Sequence, residues 1–232
     1  MREVFDPTGR FRRRPHFETA ELDTICEDTV RTFLQQRYGE VRFPILTDDL
    51  TVLLEQKTNS LDLYADLSGE GDEVEGATYF RRGGKPDVAI AEHLSTDQWR
   101  ENRYRTTLSH ELGHVVLHGH LWTIEAETIP LFGAPPTTAP ARCLRANLLG
   151  TRRVDWMEWQ AGFACGAFLM PASELRVLLA VQQASALPLP VSEAGKRMIA
   201  MVQEAFAVSA DAARVRLMQT GYVARQETLP IA

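Results

Sequence analysis

The feature that most limits how this chain can fold is the run His110-Glu111-Leu112-Gly113-His114, which is flanked by apolar residues at 108 and 115–117. On an α-helix each residue advances by about 100°, so two histidines four positions apart lie about 40° apart on one face, one turn from each other. Glu111 points in a neighbouring direction. Burying three such polar side chains is costly unless each is paired. The pattern therefore predicts a buried helix on which these side chains act together.

Two imidazoles one turn apart can bind a single zinc ion. Glu111 is expected to act as a general base instead of a ligand, accepting a proton from the attacking water and returning it to the leaving amine. The competing interpretation is a structural helix whose histidines are satisfied by hydrogen bonds. The apolar flanks favour zinc, and so does Gly113, which allows another backbone to approach closely.

A catalytic zinc site needs a third protein ligand and one open position, and two residues are candidates. His120 has the spacing of the pattern H-E-x-x-H-x-x-G-x-x-H, but that pattern requires glycine where this chain has Leu117. Glu158 belongs to a downstream predicted helix whose small residues, 161–166, permit tight packing against another helix. The sequence favours Glu158, which completes a His₂Glu set.

Three segments carry a resemblance to a known family: RTTLSHELGHVVLH (105–118), EWQAGFACGAFLMP (158–171) and EAFAVSADAARVRLMQTGYV (204–223). In this order, over about residues 45–222, the chain resembles the ImmA/IrrE family of metallopeptidases. The resemblance implies a zincin-like fold, zinc bound by His110, His114 and Glu158, and Glu111 as the catalytic residue. It also implies a cytoplasmic endopeptidase that cleaves a helix-turn-helix repressor of the XRE type, with roles in transcription regulation and stress response.

The chain departs from this family in two places. The family usually has asparagine or aspartate four residues after the ligand glutamate, where this chain has Gly162. A polar group there could orient a zinc-binding histidine, and its loss typically weakens metal binding or activity by ~10–100-fold. Asp155, a water or a backbone carbonyl could compensate. The second departure is the long connection 119–152, which is rich in proline and glycine and could form a lid or a substrate-binding element.

His118 lies one further turn along the same helix. It is interpreted here as a helix C-terminal histidine that interacts with the last carbonyl groups. The alternative is a cleft residue that stabilises the oxyanion, but nothing in the sequence places it near the metal.

The hydrophobic periodicity predicts an α+β fold with three parts. Residues 1–17 form an irregular basic arm. Residues 18–171 form a catalytic domain, zincin-like as the family resemblance implies, in which a small and mainly antiparallel sheet from about residues 60–91 packs on the zinc helix. Residues 172–232 form a helical part that packs on this core.

Composition and charge exclude several other classes of protein. No segment approaches the ~18 apolar residues that a membrane span requires, and no apolar run follows the basic N-terminus, so neither a membrane nor a secretory protein is expected. Three widely spaced cysteines indicate a reducing cytoplasm. The net charge of −6 disfavours direct nucleic-acid binding. A DNA-binding regulator that uses the C-terminal helices, or a non-catalytic zincin-fold interaction module, are the remaining alternatives.

Overall fold

The computed structural model describes residues 1–71, 73–81, 83–127, 141–144, 155–185 and 191–223, and it has an α+β fold. Within these residues the six strands and eight helices follow in the order β1 (Arg2–Phe5), β2 (Arg13–His16), α1 (Thr19–Tyr38), α2 (Thr47–Lys57), β3 (Ser60–Ala65), β4 (Val74–Tyr79), β5 (Asp87–Ala91), α3 (Glu92–Ser95), α4 (Glu101–Glu127), β6 (Ala141–Leu144), α5 (Trp156–Leu169), α6 (Ala172–Ser185), α7 (Val191–Phe206) and α8 (Ala210–Gln219). Two short 3₁₀ turns, Ser68–Glu70 and Gln98–Arg100, join some of them.

Local signals set the ends of several helices. Helix α1 begins with a capping box, in which the side chains of Glu18 and Glu21 each accept a hydrogen bond from the other residue's backbone N–H. It ends at Gly39, whose φ of 75° suits a residue without a Cβ. Helix α5 begins after Asp155, whose carboxylate accepts a hydrogen bond from the backbone N–H of Met157. The predicted downstream helix that carries Glu158 is confirmed at this position.

The main sheet has four strands in the order β3-β5-β4-β6. Strands β3 and β5 are parallel, whereas β4 is antiparallel to both β5 and β6. The predicted small and mainly antiparallel sheet is therefore confirmed. Its edge strand β6 comes from residues 141–144, well outside the predicted range of 60–91. Strand β4 packs against α4, and this contact positions the sheet next to the candidate site.

Two predictions about irregular segments were wrong. Residues 1–17 are not irregular, because β1 and β2 pair as an antiparallel hairpin over Arg2–Phe5 and Arg13–His16. Residues 119–152 are not one long connection either, because α4 continues to Glu127 and β6 pairs with β4. Strands β1, β2 and β6 are each only four residues long, and β6 also pairs with a distant strand. Such short segments show little periodic pattern in the sequence. The rest of 119–152 lies outside the described residues.

Helices α4 and α5 form the largest helix–helix contact of the fold. Small residues bring their backbones together: a Cβ built on Gly113 would lie 3.0 Å from the Cα of Ala161. The thiol of Cys165 donates a hydrogen bond of 3.3 Å to the carbonyl of Thr106. The predicted tight packing of the downstream helix is therefore confirmed, and it brings α5 against the helix that carries the histidine pair.

The C-terminal helix α8 packs on the core through a buried arginine. Arg216 is fully buried; it donates through Nη2 to Asp23 at 2.5 Å and through Nε to the carbonyl of Met170 at 3.0 Å. The proposed boundary between a catalytic domain and a C-terminal part at residue 171 stays a prediction. Among the described residues, no single helix is long and apolar enough to span a membrane; α5 with the first part of α6 meets the length and composition criteria only as a pair bent by 48°.

Candidate metal centre

The central part of α4 places its polar side chains inside the protein. His110, Glu111, His114 and His118 are all fully buried, although they lie on a helix whose neighbouring residues Leu108 and Leu112 belong to the core. Buried polar groups of this kind must find partners to offset the lost hydration. The partners come from α5 on one side and from β4 on the other.

Helix α5 supplies the carboxylate that completes the candidate ligand set. The Nε2 atoms of His110 and His114 lie 3.1 Å apart. The Glu158 carboxylate reaches both rings, with Oε2 at 3.3 Å from His110 Nε2 and Oε1 at 3.3 Å from His114 Nε2. One ligand atom from each residue lies within 4.8 Å of the others, so the three can hold a metal ion. The sequence predicted the same three residues as ligands.

The chemistry of these atoms fits a cation. Two imidazole nitrogens and a carboxylate converge at one place, and such electron-rich atoms approach one another favourably only around a proton or a metal ion. Burial alone raises the pKa of Glu158, but the nearby His114 and His110 outweigh it and hold that pKa well below its usual value. Conversely, burial lowers the pKa of His114, but the Glu158 carboxylate outweighs it and raises that pKa. Glu158 and His114 therefore stabilise each other's charged forms.

Glu111 lies beside this group without belonging to it. The hydroxyl of Thr78 on β4 donates a hydrogen bond of 2.5 Å to Glu111 Oε2, while Oε1 has no hydrogen-bond partner among the described residues. Complete burial raises the pKa of the Glu111 carboxyl group above its usual range. Strand β4 approaches this carboxylate closely at Gly76, where a Cβ would lie only 2.6 Å from Oε1. The glycine therefore makes room for the carboxylate.

His118 was misjudged from the sequence. Helix α4 does not end near it, so His118 does not cap a helix terminus. Its Nδ1 lies 3.2 Å from Nδ1 of His114, and its Nε2 lies 3.0 Å from Oε1 of Gln160 on α5. The continuing four-residue spacing, 110, 114 and 118, was the sequence signal that could have identified this contact. No sequence pattern indicated that Gln160 contacts His118.

His120, the alternative third ligand, does not join the cluster. It is exposed on α4, whereas the Glu158 carboxylate lies 3.3 Å from Nε2 of each of the other two histidines. The helix continues without a break through Leu117, as the missing glycine at that position predicted. Nothing therefore turns His120 back towards the other two histidines.

A cavity of about 310 Å³ lies between the start of α4, α5 and α8. Thr106 and Gly162 both line it. Thr106 lies one turn before His110 and Gly162 one turn after Glu158, so the cavity begins ~6 Å along each helix from a ligand. The lining is mostly apolar, formed by residues such as Leu169, Met170, Ala212 and Val215. Trp99, whose side chain is 98% exposed, borders the same cavity.

The fold and the site together define a zincin-like peptidase: an α+β core in which an H-E-x-x-H helix and a downstream glutamate form a candidate metal centre. Comparison with protein families makes this specific. The family model of peptidase family M78, described as an IrrE N-terminal-like domain, matches residues 70–218. The chain belongs to this family of metallopeptidases, as its resemblance to ImmA/IrrE proteins implied. The comparison with curated proteins finds no significant match.

Proposed function

We propose that this protein is a zinc-dependent endopeptidase that hydrolyses one peptide bond in a protein substrate, a transcriptional repressor of the XRE helix-turn-helix type. The convergence of His110, His114 and Glu158 next to the buried carboxylate of Glu111 is the observation that carries the proposal. Membership of a peptidase family supports hydrolysis in general. The choice of a repressor, and with it a cytoplasmic location, rests on the family resemblance.

The two histidines and Glu158 would hold the zinc ion, since a His₂Glu set that leaves one position open is a known catalytic arrangement. When bound, zinc polarises the scissile carbonyl and increases the acidity of water. Glu111 accepts the proton of the attacking water and then delivers it to the leaving amine. Its raised pKa suits both transfers, because a carboxylate of ordinary acidity holds a proton too weakly near neutral pH.

Neighbouring residues prepare Glu111 for this role. Thr78 occupies one carboxylate oxygen, which fixes the orientation of the group and leaves the other oxygen to exchange the proton. Gly76 has no side chain, which leaves room beside Oε1, the oxygen that exchanges the proton. The side chain is thus held in place before substrate binds, which reduces the reorganisation needed during the reaction.

The cavity beside the ligands offers room for a large apolar side chain of the substrate. Its apolar lining and its position one turn from both His110 and Glu158 support this use. Gly162, where the family usually has asparagine or aspartate, adds no side chain to the cavity. We therefore expect cleavage next to a large apolar residue.

Two observations weigh against the alternative functions. A DNA-binding regulator would need basic side chains on α8 at the surface, but Arg216 is buried in an ion pair with Asp23, and Arg214 is paired with Asp211. A non-catalytic module would not need a carboxylate held by Thr78 beside the ligand cluster. Hydrolysis of a peptide bond accounts for both the ligands and Glu111.

The test compares the wild-type protein with Glu111→Gln, which keeps the size of the side chain but cannot accept the proton. Zinc content is measured by mass spectrometry. Each protein is co-expressed with the regulator encoded beside its gene, because members of the ImmA/IrrE family are often encoded beside the XRE-type repressor that they cleave. We expect zinc in both proteins and cleavage by the wild type alone, with a loss of at least ~10²-fold. Bound zinc without cleavage would favour the non-catalytic module. A wild-type protein that binds no zinc at neutral pH would overturn the proposal.

A further inference from the structure

We propose that His118 and Gln160 orient the metal-binding ring of His114, and that the N-terminal hairpin completes this chain of hydrogen bonds. The inference rests on the metal site of the proposed function and assigns residues that hold a ligand in position. The atoms run in one series from the ligand cluster: His114, His118, Gln160 and the backbone carbonyl of Pro15.

Only one arrangement of protons satisfies every contact in this series. Nε2 of His114 faces His110 and Glu158, so as a ligand it must be unprotonated and Nδ1 must carry the proton. That proton is donated across 3.2 Å to Nδ1 of His118. His118 then carries its own proton on Nε2 and donates it across 3.0 Å to Oε1 of Gln160. The amide of Gln160 in turn donates across 3.3 Å to the carbonyl of Pro15.

This chain fixes both the tautomer and the tilt of His114. A metal-binding histidine normally donates its second N–H to an oriented acceptor, which sets the ring plane and increases the basicity of the ligand. His118 and Gln160 are both buried, so water does not compete for these bonds. Nδ1 of His110 has no partner among the described residues. The chain therefore orients His114, one ligand of the pair.

The last acceptor belongs to a part of the chain outside the family match. Pro15 lies on β2, whereas the family model begins at residue 70. Arg10, in the turn of the same hairpin, forms an ion pair of 3.0 Å with Asp155 at the start of α5. Phe11 packs edge-on against Trp122 with ring centroids 4.9 Å apart. These contacts hold the hairpin against both helices that carry ligands, so the Pro15 carbonyl has a fixed position.

The test measures zinc affinity, by competition with a chromophoric chelator, for His118→Phe, His118→Asn and the control His120→Phe. Phenylalanine keeps the ring but removes both nitrogens, and we expect affinity to fall by ~10–100-fold. Asparagine places an acceptor oxygen close to the position of Nδ1, so we expect it to restore part of that loss. The control removes an exposed histidine from the same helix and should leave affinity unchanged.

Which of the two variants, His118→Phe or His118→Asn, binds zinc more tightly shows whether His118 orients His114 or only fills space. If His118 only filled space, phenylalanine would be tolerated better than the smaller asparagine, which leaves a cavity. Thermal unfolding of the zinc-free variants shows whether each one folds. Gln160→Met provides a second test of the same inference. It keeps the side-chain length but removes both hydrogen bonds, so we expect it to weaken zinc binding as well.

Nitrogen-15 spectroscopy of the zinc-loaded wild type tests the proton assignment directly. We expect His114 to be protonated on Nδ1 and His118 on Nε2. A proton on Nδ1 of His118, or a zinc affinity of His118→Phe within twofold of the wild type, would overturn the inference while leaving the proposed function intact. A wild-type protein without zinc would instead refute the proposed function, and this inference with it.

Discussion

Gly113 offers a sharp test of how α4 and α5 hold the candidate ligands together. Replacing glycine by alanine inside a helix normally stabilises a protein by ~0.5–1 kcal/mol, because it restricts the unfolded chain. At this position the added Cβ would lie 3.0 Å from Cα and 3.1 Å from the carbonyl oxygen of Ala161, and 3.2 Å from Cβ of Ala164. Two of these atoms are backbone atoms, so no side-chain rotation can relieve the contact.

The helices must therefore separate. Ordinary contact begins at 3.4 Å, so the 3.0 Å approach requires a shift of about 0.4 Å. Overpacking of this kind typically costs ~1–3 kcal/mol, which exceeds the helix-propensity gain. Because α5 carries Glu158, the same shift exceeds the ~0.2 Å tolerance of metal–ligand distances. We expect Gly113→Ala to reduce both the free energy of unfolding and the affinity for zinc.

Gly119 is the matched control, since it lies on the same helix and a Cβ there would meet only Cδ of Pro86 at 3.9 Å. Gly119→Ala should stabilise the protein by ~0.5–1 kcal/mol and leave zinc binding unchanged. Urea unfolding and chelator competition measure the two effects, and the two variants should differ by ~1–3 kcal/mol in stability. Equal stability and equal zinc affinity of the two variants would refute the packing argument.

Three further predictions concern single side chains. Thr78→Val removes the hydrogen bond to Glu111, so we expect ~10-fold slower cleavage with unchanged zinc content; an unaltered rate would show that Glu111 needs no such support. Burial raises the pKa of Asp6, but hydrogen bonds from Thr8 and from the Phe11 N–H outweigh it and hold that pKa below its usual value. Asp6 therefore stabilises the fold above the ordinary aspartate pKa of ~3.9 and loses this contribution as pH falls through the lower folded-state pKa. The stability difference between wild type and Asp6→Asn, from denaturant unfolding at several pH values, should thus shrink as pH falls and become constant in strong acid; a difference that is the same at every pH contradicts this. Burial raises the pKa of the Cys165 thiol to about 12, so iodoacetamide at pH 8 should label Cys165 only after unfolding, and rapid labelling of the native protein, detected by peptide mass spectrometry, would count against the buried packing.

Local periodicity was enough to predict the helix that carries His110, Glu111 and His114. It also predicted the separate helix that carries Glu158, because a four-residue spacing and a run of small residues are visible without any tertiary information. The preference for Glu158 over His120 followed from one missing glycine, and the structure brings the Glu158 carboxylate to 3.3 Å from Nε2 of both His110 and His114. The catalytic and ligand roles of these residues remain predictions for the experiments above.

Contacts between distant segments were decided by the tertiary structure alone. Nothing in the sequence relates His118 to Gln160, or either of them to the carbonyl of Pro15, because a backbone acceptor has no residue-type signature. The edge strand β6 is likewise short, and only its pairing with β4 identifies it. Helical spacing is a local property that residues four apart reveal directly, whereas the partner of a buried polar group depends on how separate elements pack. The sequence therefore determined the helix and the residue types of the candidate centre, while the packing of α4, α5 and the N-terminal hairpin decided which groups surround it.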